Sequence, residues 1–139
     1  MAAFINQYPL AIPFLAILLA EVVKATIDLF RRRHKIRFIN PGGMPSGHSS
    51  FVSALVVTVA NREGIGSTSF MISAVVAVVV MYDAVLLRGQ VGKHAKVLNK
   101  LVSSKGGKAD LEESLGHTLV EVIGGAVFGS LVAFALLSL

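Results

Sequence analysis

Four long apolar stretches, at residues 8–30, 46–61, 68–87 and 114–137, alternate with short polar ones along the chain. A helix needs roughly 20 mainly apolar residues to cross the hydrocarbon core of a bilayer. The first and last stretches meet that length, and the second is shorter and opens on a polar motif. The third holds the run Val75-Val76-Ala77-Val78-Val79-Val80, whose β-branched residues by themselves favour strands. A bilayer, however, accepts only helices and closed barrels, and four segments of this length cannot close a barrel. The pattern therefore predicts an all-α integral membrane bundle of about four transmembrane helices, in a single domain covering residues 1–139.

Composition strengthens this reading. The chain is 54% hydrophobic and 15% charged, with a mean hydropathy of +0.73. A soluble domain is about 25% charged. Cysteine is absent, which excludes a disulfide framework and a thiolate metal site. The N-terminal stretch lacks a basic flank before its apolar run and ends in arginines, so it reads as a retained helix rather than a cleavable signal.

Charge sets the expected topology. The connection 31–44 carries Arg31, Arg32, Arg33, Lys35 and Arg37, and the connection 88–113 carries Arg88, Lys93, Lys96, Lys100, Lys105 and Lys108. The connection around Arg62-Glu63-Gly64 is short and neutral. Basic loops stay in the cytoplasm, so both long connections are expected there, in the cell membrane, with both termini on the opposite side. Residues 90–101 have the pattern of a basic amphipathic helix lying on the anionic inner leaflet, and 103–108 reads as a flexible turn. Gly125 and Gly129 form a small-xxx-small spacing suited to close helix packing, within the chain or between two copies. Four helices are few to enclose a lipid, so a homodimer is expected.

Charged side chains inside apolar stretches carry the functional signal. Glu21, Lys24, Asp28 and Arg31 are spaced three, four and three apart and share one helix face. His117 and Glu121 are four apart and do the same, and Asp83 lies near the end of the third stretch. Each costs a few kcal/mol near the bilayer centre unless paired or hydrated. They are buried ion pairs or a working site. Pro45-Ser46-Gly47-His48 opens the second stretch: Ser46 suits an N-cap, Gly47 allows close approach to backbone, and free N–H groups at a helix start favour an anion. His48 can donate a proton near neutral pH.

These pieces together resemble the type 2 phosphatidic acid phosphatase superfamily, which includes vanadium haloperoxidases and bacterial acid phosphatases, and within it the divergent branch. Lys24 and Arg31 reproduce the Lys-x6-Arg spacing, with Arg32 where the family has Pro. Pro-Ser-Gly-His is complete. The third motif, Ser-Arg-x5-His-x3-Asp, is broken: Arg88 and His94 keep the spacing, but Leu87 and Leu98 replace Ser and Asp. His117-x3-Glu121 supplies a histidine and a carboxylate on one face instead. The order Gly-Gly-Met-Pro-Ser-x-His, Tyr-Asp-Ala, Leu-Asn-Lys, Leu-Gly-His-x3-Glu-Val looks like that divergent branch.

The resemblance implies metal-independent hydrolysis of a lipid phosphomonoester, with no cofactor and no nucleic-acid partner. It implies His117 as nucleophile, Glu121 as the group that orients it, and His48 as acid then base. Lys24, Arg31, Arg88 and the N–H groups from Ser46 and Gly47 to His48 would hold the phosphate, and Asp83 would pair with Arg88 or Lys24 or orient His48. No metal site is expected. A phospholipid-binding or assembly protein that keeps the anion site without turnover is the alternative. A small transporter is a third, disfavoured by the lack of an inverted repeat.

Overall fold

The computed structural model describes residues 5, 7–30, 43–113 and 115–139. They form five α-helices and no strand: α1 Ala11–Phe30, α2 Gly47–Glu63, α3 Thr68–Val85, α4 Leu87–Ser104 and α5 Leu119–Leu137. The protein is an all-helical bundle. α2 lies at its centre and packs on α1, α3 and α5. The Arg62 guanidinium donates to the Ile5 carbonyl at 3.2 Å, which brings the N-terminal segment to the far end of α2. Ile5 packs with Ala133, Leu136 and Leu137 at that end, and residues 43–48, 83–88 and 116–121 gather at the other.

Polarity is inverted relative to a soluble protein. Lys24, Ser46, Ser49, Ser50, Ser53, Thr58 and Ser73 are buried, while Phe14, Leu18, Ile72, Val75, Val78, Val79, Val127, Leu131 and Phe134 are exposed. Water would not tolerate so continuous an apolar shell, whereas lipid tails solvate it. Two helices, Thr68–Ser104 taken as one unit and Leu119–Leu137, are long and apolar enough to span a membrane. α1 carries Glu21, Lys24 and Asp28, and α2 its serines and Thr58, on faces that the bundle covers at least in part. Phe14 and Phe51 meet edge to face with ring centres 5.2 Å apart and add directional packing between α1 and α2.

The α2–α5 contact is the closest in the bundle. A Cβ on Gly129 would collide with the Ser50 backbone, and one on Gly125 with the Ser46 carbonyl. Ser50 Oγ donates to the Gly125 carbonyl at 3.0 Å and to its own-helix Ser46 carbonyl at 2.8 Å. The Gly125/Gly129 spacing thus serves an intramolecular seam.

Two boundaries differ from the sequence expectation. The helix expected at 90–101 is present but longer, and it is not separate from the third: α4 follows α3 with only Leu86 between them, itself at φ −90° and ψ −57°. Amides on either side keep helical bonds, Leu86 N–H to Tyr82 and Gln90 N–H to Leu86. Lysines spaced along 93–100 have good helix propensity, so nothing in the sequence stops the helix at the membrane edge. It stops at Gly106 (φ +74°), where the Gly107 N–H returns to the Val102 carbonyl. The last helix begins later than expected, at Leu119, because Thr118 caps it.

Candidate functional site

The seam between α2 and α5 fixes the floor of the site. Ser46 is the N-cap of α2 and is fully buried. Its hydroxyl accepts from the Ser49 N–H at 3.4 Å and the Ser49 hydroxyl at 3.1 Å, and its own N–H goes to the Glu121 carbonyl at 3.2 Å. Ser46 is therefore spent on structure, and the amides left at the mouth of α2 are those of Gly47 and His48. The missing side chain of Gly47 admits Glu21, whose Oε1 would lie 2.6 Å from a Cβ there. Its smallness serves the approach of α1, where the sequence suggested approach of a ligand.

Glu121 is the knot of the site. With Thr118 it forms a capping box: Thr118 Oγ1 accepts from the Glu121 N–H, and Glu121 Oε2 accepts from the Thr118 N–H at 2.8 Å. Oε1 accepts from the Gly43 N–H at 3.2 Å, which ties the loop before α2 to the start of α5. Oε2 also lies 3.4 Å from His117 Nδ1. That approach is an ion-pair distance without hydrogen-bond alignment, since Oε2 already takes the Thr118 amide, and Nδ1 stays buried without a partner. The Thr118-x-x-Glu121 pattern is a capping signature readable from sequence, and it explains why this carboxylate stands where it does.

His117 precedes α5 and its side chain is 6% exposed. Its N–H donates to the Ala84 carbonyl at 3.0 Å, which pins it against the last turn of α3. Gly116 (φ +107°) allows the chain to press on Gly89, with a Cβ there only 2.7 Å from the Gly89 nitrogen. Upstream, Gly92 sits against the carbonyls of Glu113 and Leu115. Asn99 completes the strap: its side chain accepts from the Leu111 N–H at 3.0 Å and donates to the Leu111 carbonyl at 2.9 Å and to Glu113 Oε1 at 2.8 Å. Sequence reasoning gave Asn99 no such task. Burial holds the His117 imidazole below its ordinary pKa, opposed by the charge of Glu121 and reinforced by Lys24 and Arg88.

Cations surround the two histidines. Lys24 is buried and pairs with Glu21 at 2.6 Å. Arg88, at the start of α4, is half-exposed and binds Asp83 through Nε at 3.2 Å. Of the alternatives for Asp83, the structure gives the pairing with Arg88. The charges of Lys24 and Arg88 act on both His48 and His117, and His117 acts on His48, so the four side chains lie in one neighbourhood. His94 lies on α4, exposed, one turn beyond Gln90. Arg31 lies outside the described residues.

A polar cavity of about 360 Å³ opens beside the cluster, lined by Lys24, Ile27, Asp28, Gly43, Met44, Pro45 and Glu121. Among the described residues no group of three His, Asp or Glu side chains converges as a metal site. From Val122 to the end of α5, and along α1 before Glu21, no charged residue occurs. Apart from Arg62 and Glu63 at the far end of α2, the charges of the described spanning helices lie at this end and form no path across the bundle. Two imidazoles, one of them beside a carboxylate, two cations and a helix N-terminus are groups that together can bind an anion and move a proton.

This arrangement is matched by similarity over nearly the whole chain. The sequence pattern of the Divergent PAP2 family fits residues 5–132. The chain is also similar to the uncharacterized membrane protein YuiD of Bacillus subtilis (strain 168), at 34% identity over 150 aligned positions covering 95% of each chain. No solved structure matches it. With a relative named as a membrane protein, an apolar outer shell and the Pro-Ser-Gly-His turn seated against the His117–Glu121 step, the chain belongs to the Divergent PAP2 family, a branch of the PAP2 superfamily.

Proposed function

We propose that the protein hydrolyses a lipid phosphomonoester without a metal, through a phosphohistidine on His117. The observation that carries this reading is the convergence of His117, His48, Lys24 and Arg88 at one end of the bundle, with Glu121 beside His117 Nδ1. Nδ1 faces the carboxylate, which leaves Nε2 to attack phosphorus. The P–N bond forms as the ester P–O bond breaks, and His48 gives its proton to the departing alkoxide. Water then attacks phosphorus as His48 takes its proton, the P–N bond breaks and inorganic phosphate leaves. Glu121, 3.4 Å from Nδ1, steadies the positive charge that His117 acquires. Lys24, Arg88 and the amides of Gly47 and His48 neutralise the phosphoryl oxygens, and by resemblance Arg31 joins them.

The substrate's phosphate lies at the headgroup level of the cytoplasmic leaflet, because the basic residues flank this end of the bundle. Both termini then face the opposite side. The altered third motif, with Leu98 in place of an acid, favours a second reading in which the protein binds phospholipid without turnover.

The experiment is phosphate release by purified protein in detergent, with and without EDTA, on a panel of lipid phosphates, beside His117→Ala and His94→Ala. Release that survives EDTA and is lost only in His117→Ala supports the proposal. Loss in His94→Ala alone moves the nucleophile to α4. No release by folded wild-type protein leaves the binding reading.

A further inference from the structure

Two apolar hollows lie next to each other along α3. One, of about 440 Å³, is lined by Val78, Met81, Tyr82, Leu86, Leu119 and Val122 among others. The second, of about 250 Å³, is lined by Ser53, Ala74, Ala77, Val78, Met81 and Ser130 among others. Val78 and Met81 line both, so the hollows follow one another as an apolar groove along α3, the first against α5 and the second against α2 and α5. From Leu86 to Ala74 the groove follows twelve residues of α3, about 18 Å at 1.5 Å per residue.

Its shape follows from which residues meet there. α3 buries only Ser73, Ala77 and Ala84, and the branched or long side chains of Val78, Met81, Tyr82 and Val85 hold its backbone away from α5. The upper mouth reaches the polar cluster: Leu86 lies two residues before Arg88, Leu119 two residues after His117, and the His117 N–H is bonded to Ala84 between the lining residues Tyr82 and Val85. The other end lies deep in the apolar part of the bundle, at Ala74 and Ser130, and the Ser130 hydroxyl is already satisfied by the Ala126 carbonyl at 2.9 Å. A track with apolar walls, free of charged lining residues and with its upper end beside the segments that carry Arg88 and His117, matches one ligand chemistry: a hydrocarbon chain with a phosphate at its head.

We infer that this groove seats a hydrocarbon chain of the substrate lipid, entered sideways from the bilayer between α3 and α5, and that chain length is read by its occupancy. The inference rests on the phosphatase reading for its activity assay, but binding tests it separately.

The test uses the full-length protein in one detergent with a series of n-alkyl phosphates from short to long. Wild-type kcat/KM should rise at least tenfold across the series. Val78→Trp narrows the groove at the residue common to both hollows, at a side chain that is 64% exposed and so has room to grow without disturbing the fold. The long-to-short ratio of kcat/KM should fall at least tenfold in this variant, and stay within twofold of wild type in Val79→Trp, whose side chain faces lipid outside the groove. Thermal protection is measured in parallel on His117→Ala, with dodecyl phosphate against inorganic phosphate. Dodecyl phosphate should raise the Tm further, and adding Val78→Trp should remove the difference.

If wild type releases no phosphate but chain-dependent protection appears and vanishes with Val78→Trp, the groove stands and the hydrolytic reading falls. If phosphate is released at a rate indifferent to chain length, or Val78→Trp and Val79→Trp behave alike, the groove holds ordinary bilayer lipid or a second copy of the chain, and the inference is overturned.

Discussion

α5 has two unlike neighbours. Towards α2 it presents Gly125 and Gly129, and the backbones touch through Ser46 and Ser50. Towards α3 it presents Leu119, Val122 and Ile123, and a groove remains. Inside lipid, apolar side chains gain little by leaving the solvent for one another, so association rests on close packing and hydrogen bonds. Small residues supply both at the first seam. Branched residues supply neither at the second, which lipid can therefore fill. The contrast explains how one helix can be rigidly fixed at its start, where Glu121 and His117 stand, and yet border an open path to them.

The largest effect should come from sealing residues. Gly129→Leu drives a side chain into the Ser50 backbone and should abolish folding, seen as aggregation on size-exclusion chromatography in detergent. If it folds with an unchanged Tm, the tight seam is not what holds α5. His117→Ala should reduce phosphate release to background while the Tm shifts by only a few degrees, because the anchor to Ala84 is a backbone bond.

The rate profile against pH sharpens the same point at the groove's mouth. Burial lowers the His117 pKa, so its neutral form, the nucleophile, should persist below the ordinary value of about 6.5. Folding stability should decline as pH falls through that value, since the unfolded imidazole takes up a proton that the folded one resists. Glu121→Gln retains a capping side chain but removes the charge that raises this pKa, and should move the acid limb to lower pH. An upward move would contradict the assigned electrostatics.

Smaller again, Ser50→Ala removes the hydroxyl that bridges to Gly125 and should cost about 1 kcal/mol of stability, measured by chemical or thermal unfolding in detergent. Ile123→Ala, on the open seam, should change stability by no more than about 0.5 kcal/mol. Equal costs at Ser50 and Ile123 would erase the distinction between the seams.

Much of this was written in the sequence. The apolar runs marked the helices of the bundle, two of which are long and apolar enough to span a membrane, and the spacing of His117 and Glu121 marked a shared neighbourhood. Other features were hidden for identifiable reasons. The amphipathic pattern marked a helix at 90–101, but lysine does not stop a helix, and its continuity with α3 through Leu86 was not legible. Pro-Ser-Gly-His suggested a row of free amides, yet Ser46 gives its amide to Glu121 and Gly47 gives its space to Glu21. Those are contacts between segments remote in sequence, which no local pattern specifies. The strap held by Asn99 and seated on Gly92 and Gly89 is of the same kind: each residue is unremarkable until the chain turns back over α4.

That strap spans a joint. The Thr68–Ser104 unit is 37 residues long, about 55 Å as a helix, against a hydrocarbon thickness of about 30 Å, so α4 projects beyond the apolar layer. The strap grips it on both sides of Leu86, at Ala84 below and at Gly89 and Gly92 above. It acts as a splint. Any bend at Leu86 must stretch the splint or carry His117 with it, and an added residue there would turn everything beyond by about 100° and pull the glycines out from under the strap. The position of one imidazole is thereby geared to the straightness of the longest rod in the molecule.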